Sequence, residues 1–233
     1  MNRAPAILAC LAALALAGCG GGDGDNDPPA SFDDTAAESA PTTQGTAAQP
    51  APEGCEGAEQ PEPKQDGGAE KPPDSLDGAA RVTIETNCGE FTVGVDPKAA
   101  PKAAASFVSL ARQGFYDGTI FHRIVPGFVI QGGDPTGSGT GGPGYKTVDP
   151  PGPDATYGKG VVAMAKGGMD PPGTAESQFF VVTGDEASLP PEYAVVGKVT
   201  EGIDVAEKIG ELGDPATEQP TSVVVLEKAR VKE

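Results

Sequence analysis

Two side chains with rigid, directional hydrogen-bonding ends, Arg123 and Gln131, stand inside the apolar run Phe121-His122-Arg123-Ile124-Val125-Pro126-Gly127-Phe128-Val129-Ile130-Gln131-Gly132-Gly133-Asp134. A guanidinium is a permanently charged fork of N–H donors, and a primary amide offers donor and acceptor in one plane. Facing a cleft, such a pair can hold a polar group of a bound chain in fixed geometry. Left in an apolar interior, the arginine costs roughly several kcal/mol unless it is paired. Arg123 therefore demands a partner or a cleft. The chain has one histidine, His122, and shows no His, Cys, Asp and Glu at metal-ligand spacing. Neither a metal nor any other cofactor is expected.

The elements that must position these residues are mostly strands. The run itself reads as two short strands hinged at Pro126-Gly127, with Val129 and Gln131 on one face because they are two apart. Residues 81–86 and 90–95 alternate polar and apolar about the turn Asn87-Cys88-Gly89, which predicts a hairpin. Residues 100–112 carry Phe107, Leu110 and Ala111 at helical spacing, with Pro101 in the first turn and Gly114 as the stop. Further strands are expected at 160–165, 177–183, 194–199 and 222–231, and a short helix at 202–209. The glycine-rich segment 135–144 lacks a following Gly-Lys-Ser/Thr and helix, so it reads as a surface loop rather than a phosphate cradle. Many strands joined by short turns predict an antiparallel barrel or sandwich.

Composition divides the 233-residue chain. Residues 1–18 have a basic start and a short apolar run, the pattern of a secretory signal and too short to span a bilayer. Residues 19–80 are rich in Gly, Pro, Ala and acidic residues, with Phe32 and Leu76 as the bulky apolar side chains. Such a stretch predicts a disordered tether with an end-to-end distance of roughly 40–45 Å. Residues 81–233 form the expected folded domain. The formal net charge of −18 opposes nucleic acid and anionic surfaces. Cys55 and Cys88 can close one disulfide in a secreted chain; two free thiols are the alternative.

The ending Leu16-Ala17-Gly18-Cys19 resembles the bacterial lipoprotein signal. That resemblance implies cleavage before Cys19 and acyl chains, palmitate among them, on the new N-terminus. Each buried CH2 adds about 0.8 kcal/mol of anchoring. The alternative is an ordinary signal peptide with a cysteine at its end. The expected location is extracytoplasmic, held at the cell membrane by lipid.

Several blocks together resemble the cyclophilins: Phe121-His122-Arg123-Ile124, Pro126-Gly127-Phe128, Gln131-Gly132-Gly133-Asp134, Gly139-Thr140-Gly141-Gly142, Met164-Ala165 and Ser177-Gln178-Phe179-Phe180. They occur in the family's order across residues 81–231. The resemblance implies a mainly β fold, a closed eight-stranded antiparallel barrel capped by two α-helices. It also implies peptidyl-prolyl cis-trans isomerase activity on proline-containing peptides, by a monomer without cofactor. A peptide-binding chaperone module without turnover is the alternative. By the same resemblance Arg123 is the donor to the twisted prolyl nitrogen and Gln131 orients its guanidinium. Phe128, Val129, Phe180 and Leu189 form the proline pocket, with Tyr193 where the family's pocket histidine stands. Gly139, Ala165, Lys166, Gly167 and Gln178 line the groove for the preceding residues. His122 is expected to point into the barrel as a structural residue. Lys166 replaces a common Asn, and Ser188 stands where members that bind cyclosporin tightly carry Trp.

Overall fold

The computed structural model describes residues 53–232. The leader, Cys19 and the first part of the expected tether lie outside them. The elements run β1 (Ala80–Thr86), β2 (Gly89–Val95), α1 (Pro101–Arg112), β3 (Thr119–Val125), β4 (Val129–Asp134), β5 (Val161–Met164), β6 (Phe179–Val182), β7 (Val195–Glu201), α2 (Ile203–Gly210) and β8 (Val225–Lys232). The eight strands close an antiparallel barrel in the order β1-β8-β3-β4-β6-β5-β7-β2, as the family resemblance implied, where strand pattern alone left barrel or sandwich open. Two further ladders of two residues each, Thr147–Val148 with Thr174–Ala175 and Tyr157–Gly158 with Glu186–Ala187, clip the long loops.

Strand periodicity accounts for the interior. Val82 and Ile84 of β1, Phe91 and Val93 of β2, and Val196 of β7 alternate into one core. The apolar stripe of α1 adds Ala103, Ala104, Phe107 and Leu110, and α2 adds Ala206 and Ile209. Phe179 sits edge-on to Phe107, Tyr116 and Phe121 at 5.3, 5.5 and 6.1 Å between ring centres. Such contacts fix ring orientation as well as burying area.

β5 and β6 differ from the other strands, because they are apolar on both faces, and β4 joins them through Val129 and Ile130. Ile130, Val162, Met164, Phe179 and Val181 face the interior. Their neighbours Val129, Ala163, Phe180 and Val182 form a second, separate cluster on the outside, with Tyr157 and Ala187 laid over it. An unbroken apolar strand needs cover on both sides. Here loops supply the outer cover, and they leave a groove.

Phe121 and Ile124 of β3 both lie fully buried in the core although they are three residues apart. A period of two forbids that unless the strand carries an extra residue. The register shows the irregularity: Phe121 pairs with Gly132, and Arg123 with Gln131. His122 is the unpaired residue of this bulge, and the bulge turns Arg123 to the outer face. His122 itself is half-buried and lines a surface cavity with Gln60, Gly137 and Val223, its ring beside Gly139, so the expectation that it points into the barrel does not hold. A Cβ at Gly132 would lie 2.8 Å from the Ile120 carbonyl oxygen, so glycine is required where the bulged strands approach.

Residues 53–79 depart from the expected disordered tether. They lie along the barrel as an irregular strap. The Glu56 N–H donates to the Asn87 carbonyl at 2.6 Å, and the Asn87 amide donates back to the Glu56 carbonyl at 2.7 Å. The Lys64, Gly67 and Ala69 N–H groups donate to the carbonyls of Pro135, Gly142 and Pro143 at 2.8, 2.9 and 3.2 Å. The Lys64 ammonium donates to the Phe115 carbonyl at 2.7 Å, and Cys55, Ala69 and Leu76 pack on the core. Composition misleads because the strap is ordered mainly through backbone hydrogen bonds to loops, with little apolar burial. A Cys55–Cys88 disulfide fastens its start to the β1–β2 turn.

Closing a loop between cysteines 33 positions apart removes unfolded-state entropy equivalent to roughly 3–4 kcal/mol. Replacing both cysteines by serine is expected to lower stability by roughly 2–4 kcal/mol in urea unfolding without reductant. An unchanged midpoint would mean that the strap is not fastened this way in solution.

Candidate active site

The register across the outer face sets side chains in a row. Arg123 pairs with Gln131, Gln131 with Phe180, Phe180 with Ala163 and Ala163 with Val195. The row thus runs from a guanidinium through an amide to an apolar patch, across β3, β4, β6, β5 and β7. A second row holds Val125, Val129 and Val182. Adjacent strands lie about 4.8 Å apart, so a short extended peptide can span polar and apolar ends together.

The apolar patch has walls supplied by loops. Phe128, Leu189 and Tyr193 are partly buried against Val129 and Phe180. The Tyr193 ring stands edge-on to Phe180 at 5.3 Å and 88°. Its backbone is held by Tyr157, whose hydroxyl accepts from the Tyr193 N–H and donates to the Tyr193 carbonyl, both at 3.0 Å. Tyr157 escaped sequence reasoning, since it is a lone tyrosine in an irregular segment.

Beside the patch opens a cleft of about 380 Å³, lined by Gln131, Gly139, Ala165, Lys166, Gly167 and Gln178 among others. The structure thus brings the expected groove residues together in one place, next to the expected proline pocket. Two details differ from the expectation. The Gln131 amide nitrogen is not directed to the guanidinium; it donates to Oε1 of the Gln178 side chain at 3.0 Å, and Gln178 Nε2 donates to the Gly141 carbonyl at 3.0 Å. The partner of Arg123 is Glu218, whose carboxylate accepts from Nε at 2.8 Å. Nothing in the sequence signals Glu218, which stands 95 positions away.

Lys166 also behaves differently from a ligand-binding lysine. Its side chain is only 7 % exposed, and Nζ pairs with Glu192 at 3.0 Å while donating to the Asp170 carbonyl at 3.2 Å. It ties the loop after β5 to the loop that carries Tyr193. Asp170 in turn accepts from Lys146 at 2.9 and 3.0 Å.

A family model described as cyclophilin type peptidyl-prolyl cis-trans isomerase/CLD matches residues 81–231. The chain belongs to the cyclophilin-type peptidyl-prolyl cis-trans isomerases. It is 37 % identical over 154 residues to the peptidyl-prolyl cis-trans isomerase CYP18-2 of Arabidopsis thaliana, a match covering 64 % of this chain and 92 % of the relative. With peptidyl-prolyl cis-trans isomerase A of Mycobacterium tuberculosis it shares 39 % over 168 residues, covering 64 % and 90 %. The crystal structure of a Cryptosporidium parvum cyclophilin type isomerase superposes with a TM-score of 0.59 at 31 % identity, over 66 % of this chain and 98 % of that one.

The cyclophilin match begins at residue 81, so the strap is an addition to the family domain. It grips the glycine-rich loop that borders the cleft, since Asp66 accepts from the Gly142 N–H at 2.8 Å. Asp134 grips the same loop from within. Its fully buried carboxylate accepts from the N–H groups of Thr136, Gly139 and Gly141 at 2.7, 2.6 and 3.1 Å, and from the Thr136 hydroxyl at 2.9 Å. Burial raises the pKa of this cyclophilin carboxylate. The four hydrogen bonds outweigh burial and hold it below the ordinary 3.8. Burial likewise lowers the pKa of His122 and favours the neutral imidazole, with Asp134 pulling the other way and Arg123 adding to the lowering.

A folded-state pKa below the unfolded one makes stability that is present above the unfolded value and lost as pH falls through the folded value. Asp134→Asn is therefore expected to lower stability by roughly 1–3 kcal/mol at pH 7. The deficit relative to wild type should shrink as pH drops below 3.8. Urea midpoints across pH 2.5–7, chosen to bracket about that carboxylate range, check this. A deficit constant with pH would refute the role of the charge.

Proposed function

We propose that this cyclophilin is a lipid-anchored, extracytoplasmic foldase that accelerates X-Pro isomerisation in secreted or cell-envelope proteins. Arg123 is its hydrogen-bond donor, and Phe128, Val129, Phe180, Leu189 and Tyr193 hold the prolyl ring. The observation that carries the site reading is the outward turn of Arg123 at the His122 bulge, in one row with Gln131 and Phe180.

An X-Pro bond resists rotation by roughly 18–20 kcal/mol because its C–N bond has partial double-bond character. At the twisted geometry that conjugation is lost and the prolyl nitrogen gains a lone pair. A guanidinium N–H aimed at this lone pair stabilises the twisted state and neither planar state, and only such a difference accelerates the reaction. The step breaks no covalent bond, so no nucleophile or general base takes part. Gln131 and Gln178, linked to each other and to the glycine-rich loop, offer polar groups to the peptide backbone.

The envelope assignment draws on the leader, the Leu16-Ala17-Gly18-Cys19 ending, and a cysteine pair suited to an oxidising compartment. Residues 1–18 serve as the signal, and lipid on Cys19 anchors the chain as a monomer. Mass spectrometry of the mature protein should find an N-terminus at Cys19 bearing acyl chains; an unmodified terminus would refute the anchor.

Isomerisation of a short Ala-Pro-Phe peptide by the protein and by Arg123→Ala tests the chemistry. The variant is expected to lose about 10²-fold or more in kcat/KM, with thermal midpoint and peptide affinity little changed. Equal rates would defeat the assignment of Arg123. A wild type that binds peptide without turnover would establish a binding module instead.

A further inference from the structure

Glu218 is the one non-glycine residue among those described with positive φ, at +60°. A side chain disfavours that conformation, and such strain persists only where the surroundings impose it. Here they do. The Glu218 N–H donates to the Asp214 carbonyl at 2.7 Å, and the Asp214 N–H donates to the Gln219 carbonyl at 2.9 Å. The Asp214 carboxylate accepts from the N–H groups of Ala216 and Thr217 at 2.8 and 3.0 Å. This compact turn is fastened to the bulged strand itself, because the Ile124 N–H donates to the Glu218 carbonyl at 2.9 Å. Backbone and side chain of Glu218 thus meet two consecutive residues of β3, Ile124 and Arg123.

The return on that strain is not stability. The Arg123–Glu218 pair is half-exposed, at 36 % and 46 %, and exposed pairs contribute little. What the pair does provide is orientation. A guanidinium on a flexible stem can rotate its plane freely. Fixing its Nε–H on a carboxylate sets that plane and leaves the terminal N–H groups to point elsewhere. Gln131 faces Arg123 in register, but its amide nitrogen donates to Gln178 and the hydrogen bond to the guanidinium comes from Glu218 as acceptor.

We propose that Glu218 is a positioning residue for the isomerase reaction, holding the guanidinium of Arg123 by its Nε edge so that its terminal N–H groups meet the twisted prolyl nitrogen. The strained turn 213–220 is the rigid mount for that carboxylate. This rests on the reading of Arg123 as the donor. A freely rotating guanidinium still binds peptide, so the loss falls on kcat rather than KM.

The test uses three variants at position 218, made in the full chain and assayed on the Ala-Pro-Phe peptide. Glu218→Gly removes the carboxylate and also relieves the positive φ, so stability should hold or rise. The expected kcat nonetheless falls about tenfold, with KM changed less than about twofold. Glu218→Ala should show the same kcat loss. Glu218→Gln, which keeps an acceptor on the same stem, should recover most of it. In an Arg123→Ala background, Glu218→Gly should have no further effect. Full activity of Glu218→Gly while Arg123→Ala is impaired would overturn the positioning role and leave the site reading intact. A rise in kcat/KM would overturn it too, showing a carboxylate that competes with substrate. Full activity of Arg123→Ala would overturn both readings.

Discussion

One extra residue in β3 decides which way the guanidinium of Arg123 faces. Without the bulge at His122, the alternation that buries Phe121 would bury Arg123 as well and expose Ile124. The cost of an unpaired buried cation would then be severe. With it, Phe121 and Ile124 both fill the core and Arg123 joins the outer row. The bulge depends in turn on the absence of a side chain at Gly132, which the Ile120 carbonyl approaches. It also depends on Gly133, whose φ is +83° and whose Cβ position lies 2.9 Å from the Ser177 carbonyl oxygen. The Gly-Gly-Asp that closes the opening motif therefore acts on the site twice. Its glycines permit the strand crossing, and its aspartate organises the loop that borders the cleft.

Much of this was legible in the chain because it follows from period and composition. Phe179-Phe180-Val181-Val182 announces a strand covered on both faces, and the hairpin about Asn87-Cys88-Gly89 announces itself by alternation. The helix behind Pro101 is equally plain. The bulge was not legible, since His122 becomes an extra residue only once β3 is set in register against β4. The direction of His122 failed for the same reason. Glu218 was hidden because a turn's left-handed residue is usually glycine, and its ion pair spans a long sequence separation. Lys166 lines the cleft as its position implied, but the pairing of its ammonium with Glu192 in the next loop was not legible.

The strap shows how composition can mislead about order. Residues 53–79 have almost no apolar side chains to bury, yet their N–H groups meet carbonyls of the Gly-rich loop, and Asp66 meets an N–H of it. That loop is costly to hold still, since glycine loses more backbone freedom than any other residue on ordering. Asp134 from inside and the strap from outside together restrain it. The strap thus belongs with the groove's supporting structure even though it lies outside the family domain. Its attachment by disulfide gives the arrangement a short loop to close, with correspondingly less entropy to lose.

Rigidity of this kind matters because the reaction gives a protein few other levers. With no bond to break and no proton to move, the entire acceleration must come from groups already placed where the twisted amide needs them. Reorganisation at the moment of twisting would subtract directly from it. A charge of −18 over the chain is no obstacle, because exposed charges are screened beyond roughly 8–10 Å at ordinary ionic strength. What matters at the groove is local: a guanidinium paired through Nε with Glu218, in one row with Gln131 and Phe180. In that setting the direction of one N–H outweighs the sum of the charges around it. The bulge and the turn that carries Glu218 meet at Arg123, while the braced loop meets Gln178 and, through it, Gln131.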